Sequence, residues 1–138
     1  MRIRDNVVSL ELARRLKEIG MNIPSLFYWR IWNDGSVDIT MRHENDFVSS
    51  GTGRAVIEKI QAYTAAELIE ELPGFIRQPK DKGTKYILSI HKFCDGYVVG
   101  YEHCYDGVLK FFLQEFESEK LVNALAKMLI WWRKRERK

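Results

Sequence analysis

The sequence predicts an α+β fold: an antiparallel sheet of about five strands, in two hairpin or meander units, with three helices packed mainly on one face. Three observations lead there. Helical periodicity behind a capping residue occurs in three separated segments. Asp-Gly pairs fall at three bends flanked by alternating, aromatic-rich segments. The order of elements lacks the regular strand–helix alternation that a parallel sheet requires.

The first helix spans Ser9 to Gly20, where Leu12, Leu16 and Ile19 share one face and charges fill the other. Ser9 supplies an N-cap, Glu11 suits the positive end of the dipole, and Gly20 is a left-handed stop. Leu26 to Trp32 is rich in aromatic and β-branched residues, and Val37 to Met41 alternates apolar with polar positions. Asn33-Asp34-Gly35-Ser36 between them marks a hairpin. Residues 43 to 53 carry little periodicity and read as an exposed loop, while residues 54 to 63 fit a strand or a short helix equally well.

Thr64-Ala65-Ala66-Glu67 is a capping box, so a short helix follows with Leu68, Ile69 and Leu72 on its buried side, closed by Pro73-Gly74. Gln78 to Gly83 reads as a polar connection. Tyr86 to Phe93, Tyr97 to Cys104 and Val108 to Phe116 form a three-stranded meander with bends at Asp95-Gly96 and Asp106-Gly107. Ser118 is read as the cap of a last helix whose face carries Leu121, Leu125, Met128, Leu129 and Trp132.

A chain of 138 residues and 16.3 kDa is sized for one domain, here residues 1–132 followed by a basic tail, 133–138. The composition, 46% hydrophobic and 30% charged, is that of a globular protein and excludes disordered, collagen-like and disulfide-scaffold classes. The net charge of +3 is uneven: the last six residues carry +4 and the rest −1, so a general basic surface for nucleic acid is not indicated. Two cysteines without a signal peptide, and no apolar run long enough to span a bilayer, point to a cytoplasmic chain with reduced thiols and no membrane role.

Chemistry-bearing residues were weighed against plain structural roles. His91, Cys94, His103 and Cys104 are the most metal-like group. However, His103 and Cys104 are consecutive on a strand and point to opposite faces, so at most three ligands converge. The same cysteines with His91, His103 or His43, and Glu102 as orienting acid, lack the local signature of a nucleophile and base. Ser49-Ser50-Gly51-Thr52-Gly53-Arg54 has one residue between its glycines where a phosphate loop needs four. Glu58, Glu67, Glu70 and Glu71 are explained by capping and a solvated face. No catalytic residue, metal ligand or cofactor is assigned.

Two groups remain. Tyr28, Trp29, Trp32, Tyr97, Tyr101 and Tyr105 are numerous for one small sheet and form a candidate partner-binding surface. Trp131, Trp132, Arg133, Lys134, Arg135, Arg137 and Lys138 combine aromatic planes with positive charge, the ingredients of nucleic-acid binding, but a helix end with packed tryptophans and solvated cations is the favoured reading of them.

Three segments in the same order, Ser9 to Gly20 leading to Phe27-Tyr28-Trp29, Ala62 to Pro73, and Asn123 to Trp132, resemble a group of small phage and prophage proteins of unknown function met in gut bacteria. The resemblance implies a phage or mobile-element setting and transfers no catalytic residue. The reading that follows is a non-enzymatic module that binds an unidentified protein partner or a second copy of itself. Nucleic-acid binding through the tail is the alternative.

Overall fold

A computed structural model of the chain describes residues 2–41, 53–81, 83–105 and 109–136, with the side chains of residues 81, 104, 105, 109 and 110 outside that description. Helix α1 (Leu10–Glu18) begins where Ser9 Oγ accepts the Leu12 N–H at 3.3 Å, and it buries Leu12, Ala13 and Leu16. Gly20 follows it at φ +88°, a conformation a side chain would strain.

Strands β1 (Phe27–Trp32) and β2 (Val37–Met41) form the expected hairpin. At its turn Asp34 Oδ1 accepts the Ser36 N–H at 2.9 Å and Gly35 sits at φ +87°. Hydrogen bonds from the Ser36 hydroxyl and N–H, with Arg54 beside them, hold the Asp34 carboxyl below its ordinary range. The ambiguous segment is a strand, β3 (Val56–Gln61), paired antiparallel to β1. The first sheet therefore runs β2-β1-β3, with the aromatic strand central. The loop expected at 43–53 lies outside the described residues except for Gly53.

Helix α2 (Ala65–Glu71) has the capping box: Thr64 Oγ1 accepts the Glu67 N–H at 3.3 Å and Glu67 Oε1 accepts the Thr64 N–H at 2.8 Å. After Pro73-Gly74 the chain forms β4 (Phe75–Gln78), a short 3₁₀ turn (Pro79–Asp81), then β5 (Thr84–Phe93), β6 (Gly96–Tyr105) and β7 (Leu109–Ser118). These make a second antiparallel sheet in the order β4-β5-β6-β7. Helix α3 (Leu121–Glu136) ends the described chain.

Three expectations change. The fold is α+β, but the described residues form seven strands in two sheets where about five in one were expected. The missed strand, β4, has four residues between Pro73-Gly74 and Pro79, too few to display alternation, and it is fixed by pairing with β5 from Phe75↔Ile87 to Gln78↔Thr84. Ser118 closes β7, and its Oγ accepts the Lys120 N–H at 3.3 Å ahead of α3. At the β5–β6 bend the turn residues are Cys94 and Asp95, while Gly96 already pairs with Phe93 in the strand. A β-carbon on Gly96 would lie 2.6 Å from the Ser118 carbonyl oxygen, so close approach of backbones is why glycine stands there.

The helices lie against one face of each sheet and join them. α3 packs on β6, β7, α1 and α2, and α1 packs on β3. One hydrophobic cluster runs from Trp29 and Ile60 through Leu16, Leu68, Leu125 and Leu129 to Val99 and Tyr101. Polar ties fix the joint: the Trp29 indole N–H donates to the Val8 carbonyl at 2.9 Å, and Asn123 Oδ1 accepts the Ser9 N–H at 2.9 Å.

Candidate interaction surface

The six candidate aromatics separate into different environments. Trp29 and Trp32 are each 5% exposed and Tyr101 is fully buried; Trp29 and Tyr101 belong to the core, whereas Trp32 lies outside it under two guanidiniums, so the expected open aromatic face is not built from these three. Tyr101 donates its hydroxyl to the Pro73 carbonyl at 2.6 Å and sits against Trp131. Burial pushes the Tyr101 phenol well above its ordinary range. Trp32 lies between two guanidiniums, Arg54 at 4.3 Å and Arg30 at 5.1 Å from its ring centre; Arg30 is itself clamped by Asp38 at 2.8 Å. Tyr28 and Tyr97 are half-buried, and the side chain of Tyr105 lies outside the described residues.

The C-terminal candidates are drawn onto the body. α3 continues through the first four residues assigned to the tail. Arg133 donates to Glu71 at 3.0 Å, and Arg135 bonds the Gln78 side chain while its guanidinium covers Trp131 at 5.2 Å. Trp131 and Trp132 are half-buried against the core; Lys134 is exposed, and Arg137 and Lys138 lie outside the described residues.

Of the titratable candidates, the structure brings together His91 and Glu102, the base and orienting acid considered from the sequence. His91 Nε2 lies 3.3 Å from Glu102, His103 Nδ1 lies 3.2 Å from the Lys85 carbonyl, and Cys94 is exposed in its turn. Among the described residues no three His, Cys, Asp or Glu side chains are placed to share a metal ion; Cys104 is not among the side chains described. Glu58 meets Arg14 at 2.9 Å, Glu71 meets Arg133, and Glu67 is held by the capping box, so these three serve separate contacts, and Glu70 is exposed. Of the Gly-rich segment, only Gly53 and Arg54 are described. Arg54 is engaged by Asp34 at 3.1 Å.

A different surface stands out. Alternation along β4 to β7 sends Ile76, Tyr86, Val99 and Tyr101 toward the helices and the intervening residues to the opposite face. Strand register places Phe75, Ile87, Glu102 and Phe112 in one row across all four strands of that outer face. Phe75 is 47%, Ile87 53% and Phe112 40% exposed. The adjoining row toward the β4 end holds Arg77 opposite Lys85. On the other side of the apolar row, Ser89 faces Gly100 and Gly100 faces Glu115, and beyond them His91, Val98 and Glu117 align. Beside Ile87 a depression of about 430 Å³ is lined by Lys85, Ile87, Leu88, the small Ser89, Glu102 and His103. Both cations of the basic row lie near the Phe75 ring, Lys85 at 4.4 Å and Arg77 at 5.8 Å.

His91, Glu102 and His103 were considered from the sequence only for metal or catalytic roles, and the apolar residues Phe75, Ile87 and Phe112 were not among the sequence candidates. The available signal was Ile87 and Phe93 at odd positions of a strand whose even positions, Tyr86 and Leu88, are also apolar; without β4 neither set could be assigned to the core. No family model, curated protein or solved structure matches the chain.

Proposed function

We propose that the protein is a non-enzymatic interaction module that binds through the outer face of the β4–β7 sheet. The observation that carries this reading is Phe75, Ile87 and Phe112, exposed in one row on three of the four strands of a sheet whose other face packs Ile76, Tyr86, Val99 and Tyr101 into the core. Large apolar side chains grouped on an open face are the pattern of an association surface; the one carboxylate within the row, Glu102, is paired with His91 at 3.3 Å. The resemblance of three segments to small phage and prophage proteins supports a phage-type setting in the cytoplasm. Among the described residues, no helix is long and apolar enough to cross a membrane.

Capture from a host lysate by the immobilised protein tests the reading when run beside Ile87→Asp and the exposed control Lys134→Ala. A partner retained by the control and lost by I87D is expected. Equal retention by all three removes this face as the binding surface.

The nucleic-acid alternative has weaker support. Arg133 and Arg135 already serve Glu71 and Gln78, and both tryptophans are packed at the core margin, which leaves fewer groups for phosphate contacts and base stacking.

A further inference from the structure

We infer that the occupant of this outer face is a second copy of the chain, related by a two-fold axis lying in the interface. The inference rests on the binding surface proposed above and names its partner. Its ground is the distribution of charge around the apolar row. Arg77 and Lys85 occupy one corner of the face, on β4 and β5; Glu115 and Glu117 occupy the diagonally opposite corner, on β7. All four are exposed, and none forms an ion pair within the chain among the described residues.

Any two points on a flat face are exchanged by a two-fold axis that lies in the plane and bisects the line joining them. Placed so, one copy's basic corner covers the other's acidic corner, and both contacts form at once. Such isologous pairing is the commonest way a chain associates with itself. The axis passes through the centre of the face, between Ile87 and Glu102, whose carboxylate is held by His91 at 3.3 Å. There each copy's Ile87 has a hollow to enter, the depression beside Ser89 and Glu102. A like-charged partner face would be repelled at one corner or the other, so the bipolar pattern selects its own copy.

Four strands about 4.8 Å apart and some seven residues long give a footprint on the order of 500 Å² per copy, the low end of specific interfaces. The pair is therefore reversible and concentration-dependent.

Sedimentation velocity over micromolar to submillimolar protein reads the association directly, with the 16.3 kDa monomer as the lower limit. The wild type is expected to shift to twice that mass and back again in high salt. Ile87→Asp, and separately the pairs Arg77→Glu with Lys85→Glu and Glu115→Lys with Glu117→Lys, should each weaken association by about tenfold or more. The two charge-reversed proteins mixed together should regain it, because an all-acidic face then meets an all-basic one. Circular dichroism of each variant separates loss of association from loss of fold. A wild type that stays monomeric throughout, a dimer indifferent to I87D, or a mixture that does not pair would each overturn the inference. A monomeric wild type that still loses a captured partner on I87D would overturn it and leave the proposed binding surface standing.

Discussion

The ring of Phe112 lies over Gly100 on the neighbouring strand: a β-carbon on Gly100 would come within 2.8 Å of Phe112 Cδ1 and 3.0 Å of Cε1. The glycine leaves a flat seat, and the aromatic ring covers backbone that would otherwise be bare. This pairing holds Phe112 in the apolar row of the outer face.

Two glycines should therefore respond differently to alanine. In Gly100→Ala the obstacle is a side chain 40% exposed, which can swing aside, so stability should fall by no more than about 1 kcal/mol while the outer face is disturbed. In Gly96→Ala the obstacle is the Ser118 carbonyl, which is backbone, and the loss should reach about 2 kcal/mol or more. Urea denaturation of both variants checks the ordering; equal losses would contradict it.

Glu67 should matter more than its cap role alone implies. Beyond the Thr64 N–H, its carboxylate accepts the Ser25 hydroxyl at 2.8 Å and the Leu26 N–H at 3.1 Å, tying α2 to the start of β1. Thr64→Ala should cost about 1 kcal/mol and Glu67→Ala about 2–3 kcal/mol, because the latter leaves several donors without an acceptor. Thermal unfolding of the two variants provides the comparison.

Alkali should unfold the protein through its buried tyrosines. Burial is the main cause that raises the Tyr63 phenol from 10.0 to about 12, and its hydroxyl donates to the Ile23 carbonyl at 2.7 Å. The unfolded chain ionises near pH 10, so this stabilisation is complete below pH 10 and is lost as pH rises to about 12; two units correspond to roughly 2–3 kcal/mol. Tyr101 adds in the same direction. Absorbance at the tyrosinate band should show late-titrating phenols that Tyr63→Phe and Tyr101→Phe remove, and each variant should flatten the fall in stability above pH 10.

Ending the chain at Trp132 should cost stability, since Arg133 and Arg135 tie α3 to Glu71 and Gln78. A loss of about 1–2 kcal/mol, or several degrees in melting temperature, is expected. Labelled single- and double-stranded DNA and RNA titrated against both lengths at two salt concentrations test the alternative function in parallel. Salt-sensitive binding that disappears with the tail would favour nucleic acid over the sheet face.

The elements most legible in the sequence were those specified within a few residues. Ser9 with Gly20, Thr64 with Glu67, and Asp34 with Gly35 are local devices, each needing only neighbours along the chain to satisfy backbone groups or a positive φ, and each appears as read. The mixed α+β class followed from them.

The tertiary structure decided what depends on partners distant in sequence. Residues 56–61 became a strand because β1 offered an edge, and residues 75–78 because β5 did; neither segment carries enough alternation to declare itself. Pairing then fixed which side of each strand faces the helices. It sent Trp29 and Tyr101 inward, put Trp32 on the other side of its sheet beneath Arg30 and Arg54, and turned Phe75, Ile87 and Phe112 out. Since a one-residue change of register moves every side chain of a strand to the other face, the candidate surface could be located only once the pairing was known.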